Sequence, residues 1–396
     1  MLVTDVLIRT ISPSRQAAFH VLERISGGCF ASDTLRAATS SLSSRDAGLA
    51  SNIVFGCLRF QAQLNYLICR YSGKPAATLD LPVRLALQMA IYQLRYLERV
   101  PPHAAVHDSV ELVKIHQRAA TGLANAVLRK VDRDPVEWPD LETELSCPMW
   151  LLERWREHFG SSALQRIARA ALEEPVPYIR VPPGSNPPPG VETAPTGISG
   201  AFQLLPPFNP NVRMHDIGSQ AILPLLDLQP GHTFLDLCAA PGNKTLQALE
   251  TPLKQALACD ISWKRIHEMP DVCPRVVLDA TQSLPFGVKF DRVFVDAPCS
   301  GTGTLARNPE IKWRVKPDDF ARFRRQQAKI LSRASEAVRP GGKVLYATCS
   351  LEREENEGVI ENVLDACANL RCERTVWRQP GREPGDGFFA AVLTAH

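Results

Sequence analysis

The stretch FLDLCAAPGNKT, residues 234–245, decides how the second half of this chain reads. Phe234 to Leu237 form a short apolar run, Pro241-Gly242 a tight turn, and Asn243-Lys244-Thr245 the opening of a helix. Strand, glycine turn and helix start make the first unit of an α/β sheet, and Gly242 lets the backbone come close to a ligand. The spacing is not G-x-G-x-x-G, which disfavours a dinucleotide. Nor is it G-x-x-x-x-G-K-[ST], although Lys244-Thr245 tempts that reading.

Working outward, HTFLDLC, ALACDI, RVVLDA, DRVFVDAP and KVLYATC are short strand-like runs, with helical stretches such as PDDFARFRRQQAKILSRASEAV between several of them. Strands alternating with helices imply a parallel, doubly wound sheet whose ligands bind at the carboxyl ends of the strands. Those ends carry chemistry. Asp260 closes the second run, where an acid can bond a ribose diol, and Asp279 closes the third, where it can reach an adenine edge. A single acid at a strand end is often only a helix cap. Three successive ends carrying Gly242, Asp260 and Asp279 fit a nucleoside ligand without phosphates, as in S-adenosylmethionine. The fourth run leads into VFVDAPCSGTGTLARNPEIKW, residues 293–313, which delivers Asp296 and Cys299 into a glycine-rich loop; the fifth ends at Cys349. Two thiols at two strand ends suggest one site.

Upstream, residues 12–133 read as all helix. Ser12-Pro13 is an N-cap with a first-turn proline, Ala17, Ala18, Val21, Leu22 and Ile25 recur at helical spacing, and Gly27-Gly28 stops the helix. Similar faces at Leu87, Ala90, Ile91, Leu94 and Leu97, at Val106, Val110 and Val113, and at Leu123, Val127 and Val131 predict a helical bundle. CPMWLLERWREHFG and ALQRIARAALEE predict two more helices, and VPPGSNPPPGVETAPTG, residues 181–197, reads as an irregular linker. The expected division is a helical domain over 1–135, a connector over 136–207 and an α/β domain over 208–396.

Composition narrows the class. A chain of 396 residues suggests two or three domains, and 45% hydrophobic residues can build a core. A net charge of +3 makes any RNA-binding face a local patch. The first residues, MLVTDVLIRTISPSRQ, lack the features of a signal peptide, and no apolar run is long enough to span a membrane, so a cytoplasmic location is expected. The 11 cysteines are odd in number with no Cys-x-x-Cys, and the 9 histidines show no ligand spacing, so no metal site is expected. Cys29, Cys57, Cys69, Cys147, Cys259, Cys273, Cys367 and Cys372 read as small apolar residues of a reduced protein.

Taken together, DLCAAPGNKT, DAPCSGTG…NPEIKW, YATCS…EEN and DGFF resemble the motifs of the RNA 5-methylcytosine methyltransferases, and within them the RsmB branch, also called Sun or Fmu. That branch carries a NusB-like helical domain in front, and RQAAFHVLERI, RDAGLASNIVFGCLRF, LALQMAIYQLRYL, PPHAAVHDSVELV and GLANAVLRKV resemble it in order. The resemblance implies an all-α NusB-like domain followed by a Rossmann-like domain, S-adenosylmethionine as methyl donor, and a ribosomal RNA cytosine, in 16S rRNA, as acceptor. Carried over by position, Cys238, Ala239, Ala240, Pro241, Gly242, Asn243 and Lys244 form the cofactor loop, with Asp260, Asp279 and Asp296 completing it. Cys349 matches the nucleophile and Cys299 the second cysteine, which assists release. Four features depart from the family pattern: Asn243 replaces a glycine, the stretch between Asp260 and Asp279 is short, the region between the helical domain and the sheet is short, and YIRVPP replaces the usual Leu-Arg-x-Asn phrase.

The chemistry explains the two thiols. Carbon 5 of cytosine is a poor nucleophile until a thiolate adds at carbon 6, and this covalent route splits one hard step into two. Asp296 is placed to hold the base. Arg307, Lys312 and Arg314, around Trp313, are expected to contact phosphate; Arg322, Arg324, Arg325 and Lys329 form either a solvated helix face or an RNA face. RNA is the expected partner and a monomer the expected state. Two other readings stay open: an RNA-binding protein with a non-catalytic methyltransferase fold, or a cytosine methyltransferase of tRNA or DNA. The DNA enzymes use a Pro-Cys nucleophile, and Glu361-Asn362-Val363 matches their other signature, although it sits in a stretch of helical spacing.

Overall fold

The computed structural model describes residues 11–208 and 212–396. The remaining residues, 1–10, read above as lacking a signal peptide, and 209–211, at the start of the expected catalytic domain, lie outside the described residues. The chain divides into two compact units, one comprising residues up to Leu164 together with Ala306–Arg314, the other Gln165–Leu305 with Val315–His396. The sequence had assigned 306–314 to the catalytic part.

The first unit is helical. Its main helices are α1 (Pro13–Ser26), α2 (Ala31–Thr39), α3 (Ser44–Arg59), α4 (Gln61–Ser72), α5 (Leu81–Tyr96), α6 (Pro102–His116) and α7 (Thr121–Leu128), followed by α8 (Leu141–Glu144), α9 (Met149–Phe159) and α10 (Ser161–Ala170), within which the division falls. In α1 the positions Ala18, Val21, Leu22 and Ile25 are buried, as their spacing requires. Ser12 does not cap this helix with its side chain. Its hydroxyl instead donates to Asp108 on α6 at 2.7 Å, and Arg15 donates to the same oxygen at 3.1 Å, a buried ion pair. Helix α5 lies at the centre, with Leu87, Met89, Ala90 and Ile91 fully buried. Gly56 on α3 faces its Tyr92 ring, where a Cβ would fall 1.9 Å from the ring, so only glycine permits this approach. Truncating a side chain such as Leu87 to alanine would cost about 2–5 kcal/mol.

The second unit opens with a small antiparallel sheet of β1 (Tyr178–Arg180), β2 (Thr193–Pro195) and β3 (Ala201–Leu204), in order β1-β3-β2. Of the stretch read as an irregular linker, 181–197, only β2 is regular structure; the rest is turns and loop. Proline and glycine mark the turns between strands too short to show a period, and Ile179, Val181 and Leu204 supply their buried cluster. Arg180 on β1 makes a bidentate pair with Glu250, both contacts at 2.6 Å.

Beyond a helical turn, α11 (Ile217–Gln220), the main sheet follows: β4 (Thr233–Asp236), α12 (Asn243–Ala248), β5 (Gln255–Asp260), α13 (Trp263–His267), β6 (Arg275–Val277) and β7 (Phe290–Asp296). After α14 (Ile311–Arg314) in the helical unit come α15 (Pro317–Ala337), β8 (Val338–Thr348), α16 (Glu357–Ala366), β9 (Leu370–Arg378) and β10 (Phe388–Ala395). The strand order is β6-β5-β4-β7-β8-β10-β9, parallel from β6 to β8, with β10 antiparallel to both neighbours. The expected parallel strands are present, and β9 and β10 add an antiparallel edge that the sequence reading had not singled out. Strand β7 is buried along its length up to Asp296 because helices cover both faces of a parallel sheet. The chain steps out from β4 to β6 and returns on the far side of β4 as β7. The crevice at the β4/β7 strand ends is therefore the topological switch point, where such sheets bind ligands. Among the described residues no helix is long and apolar enough to cross a membrane, and no group of three His, Cys, Asp or Glu could hold a metal.

Candidate active site

The cofactor loop is held by carboxylates at the ends of its own and neighbouring strands. Asp236, at the end of β4, accepts from Thr245 Oγ1 at 2.7 Å; burial pushes its carboxyl up to about 7, against the pull of that hydrogen bond. Gly242 sits at φ +99°, which favours glycine. Asp260, buried at the end of β5, accepts from Ala240 N at 3.1 Å and from Ser262 N at 2.8 Å, so it shapes the loop as well as presenting its edge. Asp279 accepts from the Thr281 amide and hydroxyl at 2.9 and 2.7 Å, and these bonds hold it below the usual carboxylate range. Asn243, where the family pattern has glycine, uses its side chain to tie down the segment before α11: Arg213 donates to its Oδ1, and its Nδ2 donates to Met214 O at 3.0 Å.

Lys244 crosses the crevice from the loop to β7. Its ammonium donates to Asp296 at 2.6 Å and stands 5.2 Å from the Phe388 ring centroid. Burial opposes its charge, but the Asp296 carboxylate and that bond, with Cys349 contributing, raise it above the usual lysine value. Acidic strand ends and a close-approach glycine turn suit a ligand with a diol and a positive charge. Cys238, beside them, is pushed up by burial and remains a thiol.

The two predicted thiols meet. Cys299 Sγ and Cys349 Sγ lie 3.4 Å apart, although 50 residues separate them in sequence. The hydrogen bond to Cys349, then burial, then the charges of Glu355 and Asp296 push the Cys299 thiol well up, so it stays protonated. Backbone closure brings the loops together: Gly303 N donates to Cys349 O at 2.9 Å, and Gly387 N donates to Gly303 O at 2.8 Å. A Cβ on Gly303 would fall 2.6 Å from Gly387 O and 2.8 Å from Cys349 O. Phe388 and Gly303 were not singled out as site residues, although DGFF and the glycine-rich loop were their signals.

The residues expected to contact RNA lie in the strap 306–314, which belongs to the helical unit. Lys312 is fully buried; its ammonium donates to Arg59 O at 2.9 Å, and burial lowers it to about 8. Trp313 Nε1 donates to Leu58 O at 3.0 Å, so the last carbonyls of α3 are capped from the strap. Arg314 donates to Gly28 O at 2.8 Å and Cys29 O at 3.1 Å, with its guanidinium 4.4 Å from the centre of the Phe30 ring. Glu310 Oε1 accepts from Ala31 N, the first amide of α2, at 3.0 Å. Lys312 and Arg314 thus spend their donors on main-chain carbonyls, which the charge pattern could not reveal. Arg307 is half-buried in the same strap. On α15, Arg322, Arg325 and Lys329 are exposed, and Arg324 is half-buried.

Comparison with known proteins places both parts of the chain. The NusB family profile matches residues 12–133, and that of the 16S rRNA methyltransferase RsmB/F family matches residues 223–394. Ribosomal RNA small subunit methyltransferase B of Klebsiella pneumoniae (strain 342) is 32% identical over 423 residues, covering 96% of this chain and 97% of the relative. Its namesake from Escherichia coli O1:K1 is 32% identical over 426 residues, with the same coverage. In fold, the chain is similar to PH0851, with a TM-score of 0.80 and 23% identity over 97% of this chain and 99% of that one. It is also similar to NSun6 from Pyrococcus horikoshii, solved with SFG, with a TM-score of 0.54 and 17% identity over 63% of this chain and 98% of that one. With a NusB-type helical domain, a switch-point crevice and relatives matched along nearly its whole length, the chain belongs to the RsmB/F family of ribosomal RNA methyltransferases.

Proposed function

We propose that this protein methylates carbon 5 of a cytosine in small-subunit ribosomal RNA, with S-adenosylmethionine as donor and Cys349 as the attacking nucleophile. The observation that carries the reading is the 3.4 Å contact between two thiols from different strand ends, beside the Lys244–Asp296 pair. The acidic strand ends suit the ribose and the sulfonium, and S-adenosylmethionine supplies the methyl group. Cys349 adds to carbon 6, which makes carbon 5 electron-rich. Asp296 steadies the base at its exocyclic amine or nitrogen 3. Protonated Cys299 donates to the Cys349 sulfur and stabilises it as it leaves, once the carbon 5 proton has passed to solvent water. The target base must be exposed or flipped out to reach the thiols. The NusB-like domain contributes RNA affinity; Arg307 is the strap residue retained as a phosphate contact.

Two variants test the roles. Cys349→Ala should form no covalent adduct and transfer no methyl group. Cys299→Ala should attack, methylate and stall as an enzyme–RNA complex, seen as a band that survives denaturing electrophoresis and disappears with ribonuclease. The DNA-type mechanism predicts the reverse, so an adduct formed by Cys349→Ala overturns the assignment. Bisulfite sequencing of total RNA from cells with and without the gene would locate the cytosine.

A further inference from the structure

The residue after each thiol is a serine, and both serines converge on one buried carboxylate. Glu355, fully buried, accepts four hydrogen bonds from neutral donors. Its Oε2 takes Ser300 N at 2.8 Å and Gln327 Nε2 at 3.0 Å. Its Oε1 takes the Ser350 hydroxyl at 2.6 Å and the Ser300 hydroxyl. Gln327, on α15, also donates to Pro298 O at 2.9 Å, the residue before Cys299. An ionised carboxylate is the side chain that can take two donors on each oxygen. Burial still pushes Glu355 up, against these bonds.

The two loops depend on Glu355 unequally. The Cys349 loop has further braces: Asn356 accepts from Thr348 Oγ1 at 2.5 Å and donates to Ser350 O at 2.9 Å, gripping both neighbours of the cysteine. Leu351 N also donates to Thr302 Oγ1 at 2.9 Å, a brace that the two loops share. On the Cys299 side, Ser300 gives Glu355 both its amide and its hydroxyl. We propose that Glu355 is a positioning residue that holds Cys299 against Cys349 through Ser300, so that product release depends on it more than attack does. This rests on the thiol roles proposed above.

The test is Glu355→Gln, whose amide group would meet incoming donors with its own N–H. Calorimetry should show S-adenosylmethionine bound as in the wild type. With a small-subunit rRNA transcript, single-turnover methyl transfer should stay within about threefold of wild type, whereas multiple turnover falls at least about tenfold, because the buried Ser300 donors lose their acceptor. The covalent enzyme–RNA band should accumulate. Ser300→Ala, which removes one of the four bonds and is less prone to disturb the fold, should show the same split in milder form. Equal losses of attack and release, or wild-type turnover in both variants, overturn the proposal. Cys299→Ala run alongside separates the two ideas. If it fails to accumulate adduct, the thiol assignment falls; if it accumulates adduct while Glu355→Gln and Ser300→Ala do not, the role of Glu355 alone falls.

Discussion

Asp236 shows how one side chain can serve the site at a cost to the fold. Its carboxyl is buried beneath the cofactor loop and raised to about 7 from an ordinary 3.8. The folded state therefore binds the proton more tightly than the unfolded state does. Between those two values the native chain carries more protons, so stability falls as pH rises and levels off above about 7. Asp236→Asn keeps an acceptor for Thr245 and cannot ionise. Melting temperatures of the two proteins between pH 4 and 8 should diverge with rising pH, by on the order of a few kcal/mol in all, with the variant the more stable at neutral pH. Parallel curves would mean that Asp236 is not the titrating group. A buried acid at the end of the first strand, beside Asp296 and Lys244, also contributes negative potential where a cationic donor is expected.

The strap 306–314 makes the same point for an element. Held charged and buried, Lys312 ionises at about 8 rather than 10.5. It is charged in both states at neutral pH, its burial then costs stability, and that loss is regained as pH rises from about 8 to 10.5. Lys312→Met should leave stability at pH 7 unchanged or raise it, since replacing a buried charge by an apolar side chain of similar size is often neutral or favourable. It should also abolish the gain on the alkaline side in melting experiments. RNA affinity and its salt slope should not change, whereas loss of a phosphate contact would lower that slope by about 1. A lowered slope would restore the phosphate reading. This element also marks the limit of what was legible. Strands β5, β7 and β8 could be read because their apolar runs end at Asp260, Asp296 and Cys349, which are the candidate site residues. The destination of Lys312 could not be read, because its partner is a main-chain carbonyl 253 residues upstream and carbonyls leave no mark in a sequence. Strand β9 was hidden by its charges, Arg371, Glu373, Arg374 and Arg378, which suit an edge strand that must not pair further. The Glu355 bonds were foreshadowed only by the quoted EEN.

For the whole molecule, the division into units changes what a truncation means. Removing residues 1–164 deletes the NusB-type domain and with it the main-chain partners of the Glu310, Lys312, Trp313 and Arg314 side chains at Gly28, Cys29, Ala31, Leu58 and Arg59. The strap would then carry an unsheltered tryptophan and unpaired charges directly beyond the Cys299 loop. The remaining chain, 165–396, should still bind S-adenosylmethionine in calorimetry, because the hydrogen bonds of Asp260, Lys244 and Asp296 lie within the second unit. Methyl transfer to an rRNA transcript should be lost even at RNA concentrations that saturate binding. Full transfer by the truncated chain would show that neither the helical domain nor a sheltered strap is required. The same interleaving has a consequence during synthesis. A domain made first ordinarily folds first, yet here the N-terminal amide of α2 and the last carbonyls of α3 receive their partners only when Arg314 has left the ribosome, after β4 to β7 have emerged. At 5–20 residues per second, the 150 residues between Leu164 and Arg314 take roughly 8–30 s. Throughout that interval the nascent helical domain is complete in sequence but unfinished in structure, and its last closing piece arrives from the enzyme it precedes.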